Sequence, residues 1–142
     1  MTLANAELAA GLRVAVMRLR RRLANEHDPA HDLSIGAMAV LGGLHRFGEL
    51  TLGELAERER VRPPSMTRTI NHLTEGGYVT RASGTYDRRQ VVVTLTDRGR
   101  AAVIADRRRR DAWLSERLGE LSVEERQILR SAAPILEKLA EA

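Results

Sequence analysis

The 142-residue chain has no cysteine, which excludes disulfide staples, thiolate metal sites and cysteine-based redox sensing. Aromatic residues are scarce, one Trp, two Tyr and one Phe, too few to build a base-stacking platform for single-stranded nucleic acid. No apolar run approaches the ~20 residues of a membrane span. The first residues, MTLANAELAAGLRVAVMRLRRR, lack the charged-then-apolar order of a signal peptide. A soluble, cytoplasmic protein without membrane contact is expected. The four histidines are scattered, with no Ser-His-acid order and no glycine-rich phosphate motif, so neither an enzyme nor a cofactor is expected. Lysine is almost missing too: of 23 basic residues, all but Lys138 are arginine.

Hydrophobic residues make up 43% of the chain, enough for a core, and the length suits one domain with a helical extension. The formal net charge is +4. Between Arg62 and Arg100 seven arginines face only Glu75, Asp87 and Asp97, so this one segment carries the whole excess. A local cationic patch on a nearly neutral remainder points to a polyanion met on one face.

Leu8, Leu12, Ala15, Leu19 and Leu23 recur at helical spacing over residues 4–26, an amphipathic helix that Pro29 ends. Ser34 can cap a second helix with Ile35, Met38, Leu41 and Leu44, stopped by Gly48. Thr51 and Glu54 stand in capping-box spacing before a short helix to about Glu59. Pro63 and Pro64 are tolerable only in a first helical turn, and they open a second helix that Gly76 and Gly77 end. Two short helices joined by a tight turn form a helix-turn-helix. On the second, Met66, Ile70 and Leu73 share the inner arc. Pro64, Arg68, Asn71 and Glu75 lie opposite, flanked by Ser65, Thr67 and His72. Small polar side chains around one arginine suit base edges in a major groove.

Tyr78, Val79 and Thr80 are expected to pair with Val91 to Leu95 as a hairpin around a long basic loop bearing Asp87, Arg88 and Arg89. A hairpin directly after a helix-turn-helix is a wing, and its long loop gives an arginine reach toward the minor groove. Thr96 should cap a long helix over about 97–118, with Val103, Ile104, Trp113, Leu114 and Leu118 apolar. Ser122 and Glu125 form another capping box, and Ile128, Ala132, Ile135, Leu136 and Leu139 stripe a last helix that Pro134 should kink. The two terminal stripes are expected to pack against a second copy.

Two clusters read as ordinary surface. His27, Asp28, His31 and Asp32 have ligand chemistry, but Pro29 breaks the helix that would align the two rings, so a solvated loop and no metal site are expected. DRRRRD, residues 106–111, wraps more than a helical turn and reads as a solvated or interhelical ion-pair surface.

The segments LTLGELAERERVRPPSMTRTINHLTEGGYVTR and DRRQVVVTLTDRG resemble the MarR family of winged helix-turn-helix regulators. The Asp87-x-Arg89 pair, the strand Val91–Val93 and the Leu95, Thr96 and Gly99 helix start carry that resemblance. It implies a mainly α fold with a small β-wing. It also implies three segments in one protomer: an N-terminal dimerisation helix and loop (1–33), a winged domain (34–100) and C-terminal dimerisation helices (101–142). A homodimer would read a palindromic operator in double-stranded DNA through Ser65, Thr67, Arg68, Asn71 and His72, with Arg89 in the wing. A repressor is the expected sign, released by a small aromatic or lipophilic ligand held near Met38, Leu41, His45 and Trp113. Trp113 equally suits a dimer contact. A ligand-blind DNA-binding protein, and a ligand-binding dimer that has lost DNA binding, are the alternatives. Gly99 departs from a capping-box acid, so the cap before it is expected to be weak.

Overall fold

A computed structural model describes residues 2–142. Helices α1 (Leu3–Asn25) and α2 (Ile35–Phe47) precede a short strand β1 (Leu50–Thr51). Then come α3 (Leu52–Glu59), α4 (Pro63–Glu75), the hairpin β2 (Val79–Ser83) and β3 (Val91–Leu95), and finally α5 (Asp97–Leu118) and α6 (Val123–Ala140). The fold is mainly helical with a small antiparallel sheet in the order β1-β3-β2.

Capping sets most boundaries. Thr2, Ser34 and Thr96 each accept a backbone N–H three residues on. Thr51 with Glu54 and Ser122 with Glu125 close complete capping boxes, each side-chain cap stabilising its helix by roughly 1 kcal/mol. The Glu54 carboxyl lies below its ordinary range because Thr51 donates its backbone N–H, and then because of the Thr51 side chain. α6 runs on through Pro134. The α3–α4 turn is closed by Arg60 in the left-handed region, φ 53.

The core is one cluster. Val40, Leu41 and Leu44 from α2 meet Leu55 of α3, Met66, Ile70 and Leu73 of α4, Val79 and Val93 of the sheet, and Ala102 and Val103 of α5. At about 1.5–3 kcal/mol for each large apolar side chain removed from water, this cluster dominates folding. Neither α1 nor α6 has a buried residue.

Three local expectations are revised. The hairpin is longer: β2 begins at Val79 and Arg81, Ala82 and Ser83 pair with Val93, Val92 and Val91. Tyr78 lies just outside it, although its carbonyl accepts the Thr96 N–H at 3.1 Å. The loop therefore shrinks to residues 84–90. Leu50 and Thr51 also add a third strand against Val93 and Val92, a pairing too short for any sequence periodicity to reveal. The cap before α5 is firm despite Gly99, because Thr96 Oγ1 accepts the Gly99 N–H at 3.1 Å and donates to the Gly77 carbonyl at 2.7 Å. Glycine is required there, since a Cβ would collide with the Tyr78 carbonyl oxygen.

Residues 106–111 divide. Asp106 is 2% exposed and pairs with Arg110 at 2.7 Å, while Arg110 Nε also donates to the Leu23 carbonyl at 3.0 Å. This pair locks α5 to the end of α1 instead of facing solvent. The intervening arginines, Arg107, Arg108 and Arg109, are exposed. Burial raises the Asp106 carboxyl above its ordinary value, with Arg110 and then His27 pulling it down.

Candidate nucleic-acid interface

α3 packs against α4 and turns the outer face of α4 to solvent. Pro64, Arg68 and His72 are exposed, and Ser65, Thr67 and Asn71 half-buried. Thr67 Oγ1 donates to the Pro63 carbonyl at 3.0 Å, which leaves its oxygen free to accept. Arg68 leans back along the helix, Nη2 to Ser65 Oγ at 3.5 Å, with its remaining donors uncommitted.

The wing loop closes on itself. Gly84 N–H donates to Gln90 O at 2.9 Å, and Gln90 N–H to Asp87 O at 3.1 Å. A Cβ at Gly84 would strike the Asp87 carbonyl, so the loop is built on that glycine. Asp87 Oδ1 accepts both the backbone N–H and Nε of Arg89, at 3.0 and 3.4 Å. The Arg89 side chain is nonetheless 93% exposed, a cation aimed away from the protein and held at its base. Arg88 is also exposed, beside Arg81, Ser83 and Gln90.

The residues expected to read DNA thus form two groups, one on α4 and one at the wing tip. Arg81 joins them, and sequence reasoning passed over it. It shares a face of β2 with Val79, on the side that meets α4, and its Nη1 donates to Asn71 Oδ1. The available signal was strand alternation, which only the true start and length of β2 make legible.

Tyr78 anchors the junction of α4, β2 and α5. Its hydroxyl receives Arg98 Nη2 at 3.1 Å and lies 2.9 Å from His31 Nδ1, with the Arg98 guanidinium 4.7 Å from the ring centroid. His31 is thereby tied to the winged core instead of standing free in a solvated loop. His27 lies 3.7 Å from Asp32. Among the described residues no group of three or more His, Cys, Asp or Glu is placed to hold a metal.

Of the residues expected around a ligand, Met38, Leu41 and His45 share one face of α2 and Trp113 stands on α5. Leu41 is fully enclosed in the core and Met38 is 7% exposed. His45 is on the surface with Arg107 Nη1 at 3.5 Å from Nδ1, and Trp113 carries Arg22 over its ring at 5.1 Å. An apolar hollow of about 340 Å³ lies elsewhere, between α1, the start of α2, α5 and α6. Val16, Leu19, Leu23, Ile35 and Leu136 line it, with Arg20 and Arg110 as its cations.

Among the described residues no helix is long and apolar enough to cross a membrane. The MarR family model matches residues 33–91. The chain is 47% identical over 132 residues to the HTH-type transcriptional regulator MT0903.1 of Mycobacterium tuberculosis, covering 93% of this chain and 92% of that one. A protein of Pseudomonas aeruginosa PA01, described as a transcriptional regulator, superposes with a TM-score of 0.83 at 33% identity, over 100% of this chain and 99% of that one. FabT of Streptococcus pneumoniae, solved in complex with DNA, shares the fold with a TM-score of 0.72 at 22% identity, over 97% and 95% of the two chains. With its helix-turn-helix, basic wing and relatives along nearly its whole length, this chain belongs to the MarR family and is a DNA-binding transcriptional regulator.

Proposed function

We propose that the chain is a homodimeric repressor of a palindromic operator, released by a small aromatic or lipophilic acid. The dimer is built from residues 1–33 and 101–142, and each winged domain, residues 34–100, reads one half-site. The observation that carries this reading is the pair of uncovered apolar stripes, with Leu8 62%, Ile128 66% and Ile135 60% exposed. Apolar surface repeated along two whole helices is a cost in water that a second copy removes. Two-fold symmetry then sets the recognition helices one turn of DNA apart, ~34–36 Å, and a dimer seated on both half-sites represses by occupying the DNA.

The ligand's place in this reading is the hollow beside α1, in preference to the surroundings of Met38, Leu41, His45 and Trp113. Its apolar walls fit a ring, and Arg20 at its edge fits a carboxylate. A ligand there releases DNA only if it binds the free form better than the DNA-bound form.

Selection of bound duplexes from a random pool, followed by titration of aromatic acids against the selected operator, tests the proposal. A two-fold-symmetric operator and weakened binding with salicylate-like acids are expected, with a dimer in sedimentation at micromolar concentration. A monomer in sedimentation overturns the assembly. A broad acid panel that changes neither affinity nor melting temperature makes the protein a ligand-blind DNA binder.

A further inference from the structure

Arg81 lies outside the recognition helix and outside the wing tip, yet it touches the recognition helix. Its Nη1 donates to Asn71 Oδ1, and it stands between two surface clefts. One is shared with Asn71, Thr74 and Glu75 on α4, the other with Arg88 and Gln90 on the wing. A guanidinium has donors only, so the amide atom facing it must be the oxygen. The contact therefore removes the usual ambiguity of an exposed asparagine amide: Oδ1 is turned toward the wing and the N–H₂ group away from it.

That orientation changes what Asn71 can read. An asparagine recognises adenine by using both ends of its amide, donating to N7 and accepting from the N6 amino group. With its oxygen turned to Arg81 and away from the base edge, Asn71 presents its two N–H donors. Guanine, with O6 and N7 both acceptors on its major-groove edge, is the base that matches. We propose that Arg81 is a specificity-determining positioning residue, which holds the Asn71 amide by its oxygen and makes that position of each half-site read guanine in preference to adenine. This inference rests on the reading of α4 as the DNA-recognition helix.

The test is duplex selection with the parent dimer, Arg81→Met, Asn71→Ala and the double variant. Methionine keeps an unbranched stem and has no donor, and Arg81 is exposed, so folding should survive. The parent should favour guanine over adenine about tenfold at one position per half-site, the scale of one good base contact. Arg81→Met should bring that ratio close to one by admitting adenine. Asn71→Ala should lose the preference at the same position, and the double variant should match Asn71→Ala alone, since without the amide Arg81 has nothing to orient. In the free dimer, the Asn71 side-chain amide resonances should move on Arg81→Met.

An Arg81→Met profile identical to the parent's, with binding weakened equally for every sequence, overturns the inference and leaves Arg81 a phosphate contact. Unmoved amide resonances overturn it even where the variant binds DNA poorly. Adenine at that position in the parent profile also overturns it, while leaving DNA recognition by α4 standing. A parent that enriches no sequence removes the recognition reading itself.

Discussion

One oxygen of Asp87 holds Arg89 twice, accepting the backbone N–H at 3.0 Å and the side-chain Nε at 3.4 Å. The carboxylate shapes the loop and orients the guanidinium at once, while the far end of the arginine stays in solvent. An exposed ion pair of this kind contributes less than ~1 kcal/mol to folding. Its value lies in reducing the side-chain freedom that Arg89 loses on binding DNA.

Arg89→Ala is accordingly expected to leave stability nearly unchanged. It should weaken binding most where the flanks of the operator are A·T-rich, because the narrow minor groove there concentrates negative potential. The salt dependence should fall by about one phosphate equivalent per subunit. Asp87→Ala should show a milder version of the same loss. Titrations against operators with altered flanks decide it, and an Arg89→Ala protein that binds every flank like the parent reduces the wing to a surface hairpin.

Arg68 has a separate task. Its free donors face outward from α4 beside Ser65, so Arg68→Ala should relax the choice of one base per half-site, at ~1–3 kcal/mol of discrimination. Comparing variant and parent affinities over all single-base operator changes measures this. A uniform loss across every sequence would make Arg68 a phosphate contact instead.

Glycine substitutions should differ in sign. Gly99→Ala gains helix propensity, worth about 1 kcal/mol. Its new methyl group would nevertheless meet the Tyr78 carbonyl and the Leu95 side chain, and overpacking of this kind costs about 1–3 kcal/mol. The clash involves backbone that also accepts the Thr96 N–H, so net destabilisation is expected. Gly43→Ala, in the middle of α2 with nothing within 4 Å of its added Cβ, should stabilise by about 0.5–1 kcal/mol. Denaturant midpoints of the two variants check the contrast.

Asp106 should give the protein a distinct pH signature. Burial raises its carboxyl above 3.8, against the pull of Arg110. The folded chain therefore holds a proton at pH values where the unfolded chain has released it. The stability this proton contributes is complete below 3.8 and is lost as pH rises through the folded value. Asp106→Asn has no such titration, so the melting temperature of the parent relative to Asp106→Asn should fall as pH rises through that window. Parallel melting curves for the two proteins would contradict the buried placement of Asp106.

Local chemistry made much of this molecule readable from its residues. The capping boxes at Thr51 and Ser122, the prolines opening α4 and the Met66, Ile70 and Leu73 arc act within one or two turns of chain. Their consequences follow from spacing alone. The Asp87–Arg89 pairing is similarly local, two residues apart. Relationships across long sequence separations were decided by tertiary structure. The addition of Leu50 and Thr51 to the sheet, the Arg81 reach to Asn71, the His31 approach to Tyr78 and the location of the apolar hollow all depend on how finished elements dock. Asp106 shows the physical reason most plainly. Its neighbours in sequence are solvated arginines, so pattern alone left the run open between a solvated face and an interhelical ion-pair surface. Docking α5 against α1 set the Leu23 carbonyl beside Arg110, which lets that arginine accompany a carboxylate into the interior, whereas the period of a single helix cannot show which of its faces another helix will cover.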